Sequence, residues 1–225
     1  MNIHSQPDRA QGSRTAMTAQ PAERQPPSDK HQQILDAALR VFAARGVHGT
    51  PVPPIAREAG VSVGSLYRYF DSKEALVNAL FQATKAKLSE HLLTGLPVAR
   101  LDRSVFDELW HRLCTFARQQ PDAFRFLEMQ DHHSYLDPQS RDSEYRLLAP
   151  LRQIIELGQQ TGMLGTHLRA EVAMALFWGA FVGLFKAERL GYLTLSDQDL
   201  AEARDACWRT LSPQRDTAPN NRIEP

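Results

Sequence analysis

Gly60 stands between two short stretches of helical pattern, 53–59 and 62–70, and leaves room only for a tight turn, Ala59-Gly60-Val61. That turn needs a residue tolerant of positive φ, and glycine meets the need without steric cost. A longer helix precedes the pair, from Ser28 to Arg45. Ile34, Leu35, Ala38, Val41 and Phe42 recur along it at helical spacing, and Gly46 supplies its stop. Three helices so arranged predict a helix-turn-helix unit. Ile55, Ala56, Val61, Leu66 and Phe70 are expected to hold the two short helices against the first. Ala56 is small enough to let them cross closely. The opposite face of the second short helix carries Ser62, Val63, Ser65, Tyr67 and Arg68. A helix of this kind fits the B-DNA major groove, with its N-terminal residues against base edges.

Helical patterns continue to about residue 211, with no alternating β-branched run bounded by hairpin turns. The fold class expected is all-α, with about nine helices. Pro53 suits the first turn of its helix, and Ser62 is a fair cap for the next. Asp71-Ser72-Lys73-Glu74 has the form of a capping box opening a helix to Leu93. Further helices are expected over 102–119, 121–131, 143–161, 169–190 and 196–211. Residues 1–27 and 212–225 offer almost nothing to bury and are expected to be disordered tails. Between them, 28–84 reads as the helix-turn-helix domain and 85–211 as a helical ligand-binding and dimerisation domain.

Lys+Arg and Asp+Glu are both 26 among 225 residues, which excludes a protein that coats nucleic acid by net charge alone. The distribution is uneven, however. Residues 28–88 hold 8 basic and 5 acidic side chains, an excess of +3 where a nucleic-acid face is wanted. Cys114 and Cys207 are the two cysteines and have no zinc-like spacing. The N-terminus has no apolar signal region. The longest apolar run, Val172 to Phe185, is 14 residues against the roughly 20 of a membrane span. A cytoplasmic location is the expectation.

The pattern I-L-D-A-A-L-x-V-F-A-x-x-G, followed by T-x-V-x-x-I-A-x-x-A-G-V-S-x-G-S-L-Y-x-Y-F-x-S-K-E-A-L, covers residues 34–76. It resembles the tetracycline-repressor (TetR) family of bacterial transcription regulators. The resemblance implies that Thr50 meets phosphate at the start of helix 2. It also implies that Val63, Gly64 and Ser65 face bases, that Tyr67 and Tyr69 meet the backbone and flanking bases, and that Lys73 meets phosphate. With Ser62 and Arg68 from the helix face, these nine residues form the expected DNA site. Val63 departs from the family's frequent Lys, Arg or Gln and offers only apolar contact, such as to a thymine methyl. Pro51, Pro53 and Pro54 remove backbone donors where phosphate could bind.

The run 172–185 is apolar on every side, as in a helix buried all round. Ala175, Gly179 and Gly183, spaced by four, allow close approach of another helix. Leu200, Ala203, Cys207, Trp208 and Leu211 form a second apolar stripe. Burial within one chain is one reading. The resemblance favours a homodimer through 169–190 and 196–211, with Ala175, Gly179, Gly183, Leu200 and Trp208 at the interface. Residues 102–148 mix aromatics with polar groups, as a small-ligand site does, although each aromatic could equally fill a helical core. Phe106, Trp110, Phe126, Met129, His133 and Trp178 are the candidate lining of a pocket for a largely apolar effector. Glu128 and His132 are four apart, but two ligands do not make a zinc site, and neither a metal nor a cofactor is expected. No nucleophile elbow, phosphate-cradling loop or H-E-x-x-H appears, so no enzyme is expected. The resulting expectation is a repressor, released from a near-palindromic operator by a small molecule. The alternative is a ligand-independent helix-turn-helix binding or recruiting module.

Overall fold

The computed structural model describes residues 27–97, 102–130 and 133–213, with backbone alone at 27, 28 and 133. The two tails expected to be disordered lie almost wholly outside the described residues. Among those described, nine α-helices and one 3-10 turn follow one another and no strand occurs. The helices are α1 (Pro27–Arg45), α2 (Val52–Glu58), α3 (Val63–Tyr67), α4 (Lys73–Leu93), α5 (Arg103–Gln119), α6 (Pro121–Glu128), α7 (Pro138–Gln160), α8 (Ala170–Arg189) and α9 (Asp197–Leu211).

The central element is α4. Ser72 caps it by accepting the Ala75 N–H at 3.0 Å, and Leu76, Val77, Leu80, Phe81, Leu88 and Leu92 are buried along its length. One continuous apolar cluster joins these residues to Ile34, Leu35, Ala38 and Phe42 of α1, Ile55 and Ala56 of α2, Leu66 of α3 and Phe181 of α8. The short helices are therefore fixed by tertiary burial, since helices of 7 and 5 residues have no stability of their own. A second, smaller cluster lies at the far end, around Phe106, Leu109, Ile154, Leu164, Ala173 and Leu211.

The start of α7 differs from expectation. The helix begins at Pro138, ahead of the apolar period from 143 onward. Asp137 caps it, accepting the Ser140 N–H at 2.7 Å, and proline suits its first turn. Asn78 of α4 then ties that end down. Its amide donates to the Glu74 and Tyr135 carbonyls at 2.9 and 2.7 Å. Its oxygen accepts the Asp137 N–H and the Ser140 hydroxyl at 2.9 and 2.7 Å. A polar stretch thus becomes helix because a buried amide on another helix satisfies its groups.

Helix α8 has 20 residues and is apolar enough to cross a membrane by length and composition. Here it seats Ala173, Phe181 and Phe185 in the protein core, with Glu171 at its start and Lys186 and Arg189 at its end. Salt bridges tie α9 to α5. Arg204 lies 3.2 Å from Asp107 and Arg118 2.6 Å from Asp197. Arg103 pairs with Asp205 and lies over the Trp208 ring.

Candidate nucleic-acid interface and ligand cavity

The turn between α2 and α3 closes on itself. Ala59, Gly60 and Val61 donate to the carbonyls of Ile55, Arg57 and Ala56 at 2.9, 3.1 and 2.9 Å, and Gly60 has φ +63°. Ser62 caps α3 by accepting the Ser65 N–H at 3.0 Å, which leaves its own O–H free to donate outward. Leu66 and Phe70 are buried below. On the opposite face Ser62, Val63 (36% exposed), Gly64, Tyr67 (44% exposed) and Arg68 are open. Ser65 and Tyr69 are half-buried at the rim, Tyr69 lying edge-on to His31 at 6.5 Å. The face offers hydroxyls, one guanidinium, one phenol and a valine side chain, with a glycine that lets another backbone approach.

Two residues of the expected DNA site make bonds within the protomer. Thr50 is 3% exposed and its hydroxyl donates to the Gly46 carbonyl at 2.6 Å. Lys73 donates from Nζ to the Val47 carbonyl at 2.6 Å and lies 5.4 Å from the Tyr135 ring centre. Thr50 closes the loop after α1 on itself, and Lys73 ties that loop to the start of α4. Thr50 thus has its hydroxyl engaged within the protomer, while Lys73 is half-buried and uses one of its three N–H donors in that bond.

A cavity of about 40 Å³ lies at the far end of the molecule, walled by α5, α7 and α8. Phe106, Leu109, Ile154, Leu164, Phe177 and Trp178 are among its lining residues, and none of the ten is ionisable. Drug-sized sites run to roughly 300–1,000 Å³. Entry of a ligand therefore requires the wall to yield. Leu151, Ile155, Met174, Phe177 and Trp178 are its half-buried lining residues. Of the expected lining, Phe106 and Trp178 are present. Trp110 stands behind them, edge-on to Phe177 at 5.6 Å, its buried N–H without a hydrogen-bond partner among the described residues. Phe126 is excluded, because it stacks on Phe42 of α1 at 6.3 Å. Met129 packs against the main core instead, and the His133 side chain lies outside the described residues. A wider groove of about 310 Å³ separates α5 from α9, but its charges Asp107, Arg118, Asp197 and Arg204 are already paired.

His132 also lies outside the described residues. Among those described, no group of three or more His, Cys, Asp or Glu side chains could hold a metal. Glu128 is engaged elsewhere, accepting the Trp178 indole N–H at 2.8 Å.

The outer face of α8 is open. Ala175, Leu176 (47% exposed), Gly179 and Gly183 lie along it, and a Cβ placed on either glycine would meet nothing within 4 Å. The stripe on α9 points the other way. Leu200 is buried against α5 and Trp208 packs on Phe106 at 5.1 Å. Within the protomer Leu200 is thus covered, while Trp208 is half-buried. The periodicity of α9 locates an apolar stripe but not which neighbour covers it.

Comparison with known proteins places this arrangement. The sequence profile described as bacterial regulatory proteins, tetR family, matches residues 34–80. That described as tetracyclin repressor-like, C-terminal domain, matches residues 81–213. The chain belongs to the TetR family of bacterial transcriptional regulators, DNA-binding proteins built on a helix-turn-helix. It is 24% identical to the HTH-type transcriptional regulator SrpR of Pseudomonas putida over 156 residues, 69% of this chain and 73% of that one. It is 40% identical to the fatty acid metabolism regulator protein of Bacillus subtilis (strain 168) over 63 residues, 28% of this chain. That match spans 32% of the relative's length. The crystal structure of a TetR family transcription regulator from Marinobacter aquaeolei VT8 shares the fold, with a TM-score of 0.72 at 24% identity over 83% of this chain and 97% of that one.

Proposed function

We propose that this protein is a cytoplasmic, homodimeric repressor that is not an enzyme and leaves a near-palindromic operator when a largely apolar small molecule enters its C-terminal part. The observation that carries the reading is the open face of α3. Ser62, Val63, Gly64, Tyr67 and Arg68 project from a helix whose other side is locked into the core. Ser65 and Tyr69 flank them. Two such faces must sit about 34 Å apart to read successive major grooves. The open small-residue face of α8 supports the pairing of two subunits that would set this distance.

The test is selection of bound sequences from a random duplex pool, followed by titration of the selected duplex. A two-fold symmetric site is expected, and Tyr67→Ala is expected to weaken binding about tenfold, on all sequences alike. Unselective binding, or unchanged affinity in that variant, overturns the assignment. The small volume of the cavity, about 40 Å³, supports a second reading, a ligand-independent DNA-binding module. A metabolite thermal-shift screen separates the two, because only a ligand-released repressor gains stability from a compound that also releases DNA.

A further inference from the structure

Glu128 closes the C-terminal end of α6 and is tied to other helices. Its Oε2 accepts the Trp178 indole N–H from α8 at 2.8 Å. Its Oε1 is buried and receives no hydrogen bond among the described residues. Among the described residues Lys85 of α4 pairs with it, with Nζ 3.6 Å from Oε1. Lys85 is only 5% exposed and is shared with Glu144 of α7, 3.4 Å away. A carboxylate oxygen buried without a donor is costly, as is a buried ammonium held at the outer limit of hydrogen-bond distance from its partners. The arrangement is thus poised between two partners for Glu128, the indole on one side and the ammonium on the other.

The indole also belongs to the wall of the apolar cavity. The helix that bears Glu128 reaches the DNA-reading unit at its other contacts. Phe126 stacks on Phe42 of α1, and Gln130 Oε1 lies 3.1 Å from where a Cβ on Gly46 would stand. From these placements, and resting on the ligand-release reading above, we propose that Glu128 is the positioning residue that couples the cavity to the DNA-binding unit. An uncharged hydrocarbon group entering the cavity displaces the Trp178 ring and takes its N–H from Glu128. The carboxylate then closes on Lys85, drawing the end of α6 toward α4 and shifting α6 against α1. The ligand class follows from the lining, where no side chain is ionisable and Trp178 carries the polar hydrogen already committed to Glu128.

The experiment uses the full chain, its selected duplex and N-phenyl-1-naphthylamine as an uncharged fluorescent probe. Binding of the probe and loss of DNA affinity are read separately. In the wild type the probe is expected to lower DNA affinity about tenfold, within the usual range of coupling between two sites. Glu128→Gln keeps an acceptor for Trp178 but has no charge for Lys85. It is expected to bind the probe as tightly as the wild type while its DNA affinity changes less than about twofold. Trp178→Phe keeps a ring in the wall but lacks the N–H. Its DNA affinity is expected to be about tenfold lower with no probe present. Release of Glu128→Gln by the probe to the wild-type extent overturns the proposal, as does unchanged probe-free affinity in a folded Trp178→Phe. If the wild type selects no duplex, the regulator reading fails first. If it binds DNA and the probe but is never released, the ligand reading fails independently of Glu128.

Discussion

At the scale of single residues, polar side chains serve both the outward face of α3 and internal ties, and residue type alone does not separate the two. Lys73 shows the difference. Its charge-assisted bond to the Val47 carbonyl and its place near Tyr135 make it part of the fold. Lys73→Met is expected to lower unfolding free energy by about 1–2 kcal/mol, read from the denaturant midpoint. An unchanged midpoint would place the ammonium in solvent. Cys114 gives a second test. Burial pushes its thiol from an ordinary 9.0 up to about 11, against the pull of Arg118. A folded pKa raised in this way means that stability is full below pH 9 and is lost as pH rises toward about 11. The native protein at about pH 8, below the ordinary thiol pKa, is expected to leave Cys114 unreacted with a thiol reagent. Cys114→Ala is expected to remove that part of the alkaline loss of stability, as followed by thermal melting up to a pH of about 11.

Among the elements, the turn between α2 and α3 is the one that local chemistry alone dictates. Gly60 is needed for its backbone and not for space, since a Cβ there meets nothing within 4 Å while φ is +63°. Gly60→Ala should therefore cost only the left-handed conformation, about 1–2 kcal/mol. Calorimetry should show a lower melting temperature with DNA selectivity intact; loss of selectivity at full stability would instead give the glycine a role at the interface. The ends of α7 and α9 show where local signals are ambiguous. Ser196 and Asp199 form a full capping box, each bonding the other's backbone N–H. That box fits the expected start of α9 at 196. At α7 the cap Asp137 stands in the sequence, but the polar first turn that follows it carries no apolar period to mark a helix. The bonds from Asn78 anchor that turn, and they come from another helix.

For the whole molecule, the exposed ridge of α8 is the feature that a single chain does not explain. An apolar face with Leu176 and two glycines is expected to be covered by the same face of a second copy. Sedimentation should give about twice the chain mass of 25.3 kDa. Gly179→Leu should give the mass of one chain, with melting of the protomer little changed, because nothing in the protomer stands within 4 Å of that position. A wild type that sediments as one chain at micromolar concentration would leave the ridge for another partner.

Periodicity, caps and Gly60 make the succession of helices and the helix-turn-helix legible in the sequence by itself. Those signals are local, acting over three or four residues, and the 34–76 pattern carries the family with them. The long-range pairings are of another kind. Trp178 meets Glu128 across 50 positions, Lys73 meets Val47 across 26, and Leu200 and Trp208 face inward because α5 covers them. Helical spacing says that a stripe will be buried but is silent on which neighbour buries it. That choice is made only when all the helices compete for the same apolar surface, so the outward face of α3 is readable in the chain, while packing decides what lies behind it.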